Sequence, residues 1–283
     1  MFRQKYVYTD LAIEAAKGFE TGFVHEKKHL EESDIDLTRI QIEDHETSKK
    51  LGRAIGSYIT LEAKRLREYD RGYHREISEE LAKVIVEFLP NNCKTVLVVG
   101  LGNKAATPDA LGPKVVSNLH ITRNILDKNG GISAISPGVM LQTGMETSEI
   151  VMGINKEVKP DAIVVVDALA ARNVSRVACT IQVTDTGICP GSGVGNYRKA
   201  LTKQTLKVPV IAIGIPTVVS ASAIVCDTLE AISSELLEEE KIKQLLEEKT
   251  PALYVTPKDI DEIIERLSYT VSEGLNIAFM KLS

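Results

Sequence analysis

No uninterrupted apolar run in these 283 residues reaches the ~18 residues that a membrane-spanning helix requires. The opening Met1-Phe2-Arg3-Gln4-Lys5-Tyr6 also lacks the apolar stretch of a secretory signal. A cytoplasmic chain with no membrane partner is therefore expected. Positive charge is not in excess: 34 Lys and Arg against 39 Asp and Glu leave a net charge of −5, which argues against a nucleic-acid partner. The four cysteines, Cys93, Cys179, Cys189 and Cys226, contain no C-x-x-C pair. In a chain of this length they read as buried thiols in a reducing compartment, not as a disulfide frame or a zinc site. The five histidines, His25, His29, His45, His74 and His120, leave the motif-rich stretch 130–220 empty. Ser–His and Cys–His mechanisms are thereby weakened, and zinc loses its usual imidazole ligand. A G-x-G-x-x-G fingerprint fails at Ala105, and no P-loop is present. No cofactor is expected.

What is present is ordinary for a globular chain: 43% hydrophobic and 26% charged residues, with enough length to bury a core unaided. Val96–Val99, Ile163–Val166 and Val210–Ile213 are short Val- and Ile-rich runs separated by helical stretches. That pattern predicts an α/β fold, a mostly parallel sheet with helices on both faces. Leu11–Ala16 favours helix, and Ile35–Leu37 and Ile40–Ile42 suggest two short strands or a hairpin arm. A helix over Ser78–Phe88 is expected with Ser78 as its cap and Leu81, Val84, Ile85 and Phe88 as its apolar stripe. Residues 110–128, the acidic stretch 227–249 up to Pro251, and 257–281 also read as helical.

Three constellations carry candidate chemistry. The first is Gly100-Leu101-Gly102-Asn103 directly after a strand, followed by Thr107-Pro108-Asp109-Ala110-Leu111-Gly112-Pro113. In parallel α/β sheets, catalytic groups gather beyond the C-terminal strand ends. Asp109 either belongs to such a site or caps the helix that follows. The second is Asp167, at the end of Ile163–Val166, where partial desolvation favours a protonated carboxyl; a structural aspartate held by backbone donors or Arg172 is the alternative. The third is Asp185-Thr186-Gly187, which matches the triplet of pepsin-type proteases. Those folds are all-β and need two copies, so the triplet is set aside. Asp185 instead begins a glycine-rich loop running through Gly191, Ser192 and Gly193 to Asn196, which either approaches a substrate backbone or is a plain long turn. Ser192 does not fit G-x-S-x-G.

The ordered set of motifs resembles one family. Thr9–Ala15 (TDLAIEA), Gly56–Glu62 (GSYITLE), Gly100–Asn103, Thr107–Pro113, Ser136–Met140 (SPGVM), Gly144–Ser148 (GMETS), Asp167–Arg172 (DALAAR), Asp185–Gly187, Gly191–Asn196 and Ile213–Val219 (IGIPTVV) follow one another as in the germination protease, or spore protease, of endospore-forming bacteria. The resemblance covers nearly the whole chain. It implies an endopeptidase of the forespore or spore core that starts degradation of small acid-soluble spore proteins during germination. It also implies a zymogen and a homotetramer. Residues 1–10 are then an N-terminal propeptide, removed by self-cleavage between Asp10 and Leu11, and residues 11–283 a single α/β peptidase domain.

The implied fold is similar to that of hydrogenase-maturation proteases. In that family a G-x-G-N loop precedes two adjacent acids, the second a metal ligand, and that position is Asp109 here, with Pro108 in place of the first. A second ligand, an aspartate ending a strand, matches Asp167, and the third, a histidine, has no counterpart after His120. Lys104-Ala105-Ala106, and Cys189 before Pro-Gly-Ser-Gly, depart from the family pattern. The reading is a non-pepsin aspartic-type mechanism with Asp109 and Asp167 as the catalytic pair. Asn103, Asp185, Gly191 and Gly193 support the site or bind substrate, and the loops 100–103 and 191–196 offer oxyanion donors. The rivals are a metallopeptidase holding an ion with the same aspartates, and an inactive binding protein.

Overall fold

Runs of β-branched residues that are apolar at every position form strands only where both faces are covered, and three such runs make the centre of this molecule. The computed structural model describes residues 9–17, 19, 23–123, 125, 130–189, 199–232 and 253–280. The strands are β1 (Phe23–Leu30), β2 (Ile35–Ile42), β3 (Gly56–Glu62), β4 (Thr95–Gly100), β5 (Gly131–Ile135), β6 (Ala162–Ala171), β7 (Thr180–Thr184), β8 (Val210–Ser220) and β9 (Tyr254–Val255). They form one sheet in the order β1-β2-β3-β7-β8-β6-β4-β5, with β9 added to the far end of β8. The helices are α1 (Ala12–Ala15), α2 (His45–Leu51), α3 (Arg71–Phe88), α4 (Leu111–Ser117), α5 (Met140–Thr143), α6 (Thr147–Val158), α7 (Lys203–Leu206), α8 (Ala221–Ile232) and α9 (Ile260–Met280).

The α/β class holds, and helices cover both faces. On one face α3, α4 and α9 bury Ile77, Leu81, Leu111, Val115, Leu267 and Val271 against Val98, Val164, Val166, Ile211 and Ile213. On the other, Val151 of α6 and Leu206 of α7 meet Leu97, Val99, Ile163 and Val165, while α1 and α2 cover Ile40, Ile42 and Tyr58. The expected direction of the sheet needs a refinement. β5, β4, β6 and β8 are parallel, whereas β7, β3, β2 and β1 continue the sheet antiparallel. β1, at the edge, is almost wholly exposed.

Several local expectations shift for physical reasons. Ile35–Ile42 is one strand, paired along its length with β1. α3 starts at Arg71, where the Asp70 carboxylate accepts from the Tyr73 amide. Ser78 lies inside that helix, its hydroxyl 2.9 Å from the Thr270 carbonyl of α9. α4 stops at Ser117 because the following chain is drawn elsewhere: the His120 amide donates to Asn276 of α9 and the Thr122 and Arg123 amides to the Ile132 carbonyl of β5. Of the acidic stretch 227–249, α8 contains residues up to Ile232, and the remainder, with Pro251, lies outside the described residues. Cys93, Cys179 and Cys226 are buried and Cys189 half-buried; burial pushes the Cys93 thiol up to about 11. Among the described residues, no helix is long and apolar enough to cross a membrane.

Candidate active site

The loop after β4 folds back on itself through short polar contacts. Gly102 has φ +115°, and a Cβ there would lie 2.0 Å from the Asp109 carbonyl oxygen, so this close return requires glycine. The Asn103 amide donates to the Asp109 carboxylate at 2.8 Å and lies 3.1 Å from its carbonyl. The Asn103 side-chain oxygen accepts from the Ala105 amide at 3.0 Å and from Gln142 at 3.2 Å. The cap position of α4 is Ala110, with no side-chain cap, so the helix-cap alternative for Asp109 is not what forms. Gly112 then lets α4 sit directly on the strands: a Cβ would meet the Leu101 amide nitrogen at 2.5 Å and the Val166 carbonyl at 2.6 Å.

Asp167 lies next to this loop. Gly100 pairs with Val166 across β4 and β6, and the Leu101 amide donates to the Val166 carbonyl at 2.8 Å. β6 runs on to Ala171, so Asp167 stands within a strand and not at its end, but at the level where its neighbour β4 stops. Strand alternation puts it on the face of Ile163 and Val165. It is 8% exposed, and its carboxylate accepts from the Ala168 amide at 2.9 Å. Asn103, Asp109 and Asp167 are thus brought to one edge of two adjacent parallel strands. Beside them α5 exposes Met140 and Leu141, the latter 96% exposed.

Asp185 is not brought there. Gln182 pairs with Gly214 and Thr184 with Ala212, so β7 descends the sheet and releases Asp185 at the opposite, N-terminal edge of β6 and β8. Its carboxylate accepts from the Ser57 amide at 2.8 Å and orders the start of β3. Gly191 and Gly193 lie outside the described residues. The Asp10–Leu11 peptide docks three residues beyond Asp167. The Asp10 amide donates to the Ala170 carbonyl at 2.9 Å, its carboxylate accepts from the Ala170 amide at 2.8 Å, and Leu11 is fully buried. As for oxyanion donors, the Leu101 and Asn103 amides are engaged by Val166 and Asp109. Among the described residues no three His, Cys, Asp or Glu side chains are grouped so as to hold a metal ion.

Residues 9–239 match the family model for the germination protease. The chain belongs to the germination protease family. It is 41% identical to the germination protease of Caldanaerobacter subterraneus subsp. tengcongensis, over 96% of this chain and 94% of the relative. Identity is 40% to that of Clostridium tetani, covering 96% and 95%, and 38% to that of Bacillus mycoides, covering 96% and 93%. Among solved structures, a nickel–iron hydrogenase maturation protease from Thermococcus kodakarensis aligns over 68% of this chain and 98% of its own, at 16% identity and a TM-score of 0.36, a likeness too low to bear on the fold. Membership makes the chain a peptidase, a hydrolase.

In the sequence Gly102 and Gly112 are marked only as members of motifs, and the buried Glu14 is not marked as an anchor. A single acid in the apolar Leu11–Ala16 stretch was the available signal for Glu14. Gly102→Ala is expected to cost about 1–3 kcal/mol, since an L side chain there is strained. It should also cut peptide hydrolysis at least tenfold, because the Asp109 carbonyl must move. Thermal unfolding and a peptidase assay on the same preparation check both, and an unchanged rate would detach Asp109 from the chemistry.

Proposed function

We propose that this protease is an aspartic-type endopeptidase acting on small acid-soluble spore proteins in the forespore or spore core. Asp109 and Asp167 form its catalytic pair. The observation that carries this reading is their placement at one edge of β4 and β6, with Asp109 held by the Gly102–Asn103 turn and Asp167 largely shielded from water. Two carboxyls in one cleft do not both ionise readily. The ionised one takes a proton from water as it attacks the scissile carbonyl, and the protonated one donates to the carbonyl oxygen. The exposed Met140 and Leu141 offer an apolar shelf to an extended substrate.

The zymogen, the propeptide 1–10, the single domain 11–283 and the homotetramer are proposed from the family resemblance. The docked geometry adds one condition: the Asp10–Leu11 bond must be lifted from Ala170, and Leu11 from the core, before it is cut. Presentation to a neighbouring subunit would supply a high effective concentration.

The test is incubation of purified protein with a spore protein, with and without chelator, with mapping of cut sites and N-terminal sequencing of the enzyme. Cleavage that survives chelation, and a new Leu11 terminus in wild type but not in Asp167→Asn, are expected. Chelator-sensitive cleavage would transfer the two aspartates to a metallopeptidase, and no cleavage by the processed chain would favour a binding protein.

A further inference from the structure

Residues 136–146 form a strap beside the edge that carries Asp109, and both of its feet are held. The first foot is Ser136, just past β5, whose hydroxyl donates to the Gly100 carbonyl at 3.3 Å. The second is the start of α6, where the Glu149 carboxylate accepts from the Glu146 amide at 2.9 Å. Between them α5 makes a single turn and buries none of its residues. Gly138 and Gly144 flank it at φ +74° and +69°, a region that glycine enters without steric cost. Met140, Leu141 and Met145 are all exposed on this strap, so no core holds α5, and apolar groups gathered in this way mark a surface that something covers. Among the described residues one side-chain hydrogen bond joins α5 to another element: Gln142 Nε2 donates to the Asn103 side-chain oxygen at 3.2 Å. That oxygen also accepts from the Ala105 amide at 3.0 Å. It thereby closes the turn whose Asn103 amide donates to the Asp109 carboxylate at 2.8 Å.

We infer that α5 is a clamp that closes on bound substrate, and that Gln142 is the positioning residue that passes closure to Asp109 through Asn103. The inference rests on the proposed catalytic role of Asp109. A hydrogen bond at the surface is largely offset by the water it displaces. Under a substrate segment lying on Met140 and Leu141, water is excluded and the same bond strengthens. The Asn103 side chain is then held by both Ala105 and Gln142, and its amide keeps the Asp109 carboxylate aimed into the cleft. An interaction that gains strength only as the reaction proceeds in the closed complex raises kcat and leaves substrate affinity nearly unchanged. The apolar side chains supply the closing force, since they leave water when substrate covers them, and the two glycines absorb the change in backbone direction. The occupant is substrate and not a second copy of the chain, because the one tie of α5 leads into the Asp109 loop.

The experiment uses full-length chain, incubated until its N-terminal sequence no longer changes, and a tryptophan-free spore-protein peptide spanning a mapped cut. The chain contains no tryptophan, so Leu141→Trp places a single reporter on α5. Its emission is expected to move to shorter wavelength during turnover and to return when substrate is exhausted. In a second arm, Gln142→Met keeps the length of the side chain and removes the donor. It is expected to lower kcat at least about threefold, the weight of one net hydrogen bond, with KM within about twofold of wild type. Added to Asn103→Ala it should cost nothing further, because both substitutions break one link. Asp109→Asn is measured beside them. If it stays active, the catalytic reading fails and this inference with it; if it is inactive while Gln142→Met loses less than about threefold, this inference alone is overturned. Losses from Gln142→Met and Asn103→Ala that add also overturn it. So does a Leu141→Trp emission that substrate leaves unmoved, or that is already that of a shielded ring in the free protein because a second copy covers α5.

Discussion

Asp167→Asn is expected to lower kcat by about 10³-fold or more while leaving the fold intact, in line with the 10²–10⁴-fold range for a positioned acid or base. The substitution is nearly isosteric. The side-chain amide oxygen it introduces can still accept from the Ala168 amide, as the aspartate does at 2.9 Å, so packing at this 8% exposed site is preserved. What is lost is a proton that can be held and released. Asp109→Asn follows the same logic, since an amide oxygen can keep the 2.8 Å bond from Asn103. The double variant is expected to be little worse than either single one, because two groups that act as a unit are strongly non-additive. Single-turnover cleavage of a spore protein, with circular dichroism as the folding control, makes the measurement. Activity within tenfold of wild type in Asp167→Asn would remove this residue from the mechanism.

The second large effect is on stability. Glu14→Ala is expected to cost about 3–5 kcal/mol, the range for breaking a buried charge network by removing one partner. The Glu14 carboxylate is almost wholly buried. It accepts from the Arg172 amide at 2.8 Å and the Asn173 amide at 2.9 Å, from the Thr9 hydroxyl, and faces the Arg176 guanidinium at 3.5 Å. Alanine leaves two shielded amides without their acceptor, each a penalty of about 1–3 kcal/mol. Arg176 keeps its 3.0 Å bond to Glu62, which limits the loss on that side. At about 2–4 °C per kcal/mol for a chain of this size, the unfolding midpoint should fall by roughly 10 °C. Glu14→Gln, which retains one acceptor oxygen, should lie between. A shift under about 2 °C would mean that the N-terminal segment is not anchored through this carboxylate.

Glu14 also shows where reading along the chain stops. Its helix was legible from Leu11–Ala16, but its partners stand 158 residues away at Arg172 and 159 at Asn173, and no local pattern encodes that meeting. The position of Asp109 and Asp167 past the apolar runs Val96–Val99 and Ile163–Val166 was legible because such runs form doubly covered strands. Asp185, an aspartate with a glycine-rich continuation, is expected from the sequence to support the same site. It stands elsewhere, because β7 runs opposite to β8 and delivers it to the far edge, against Ser57.

By itself the sequence determined the α/β class, the three central strands and the presence of an aspartate after two of them, since these follow from side-chain period and burial. The tertiary structure decided the direction of β7 and the antiparallel extension beyond it, the ending of α4 at Ser117, and the meeting of the Glu14 carboxylate with the Arg172 and Asn173 amides just past β6. Those depend on which distant segments satisfy one another's hydrogen bonds, and hydrophobic period carries the burial of a segment but not the identity of its partner.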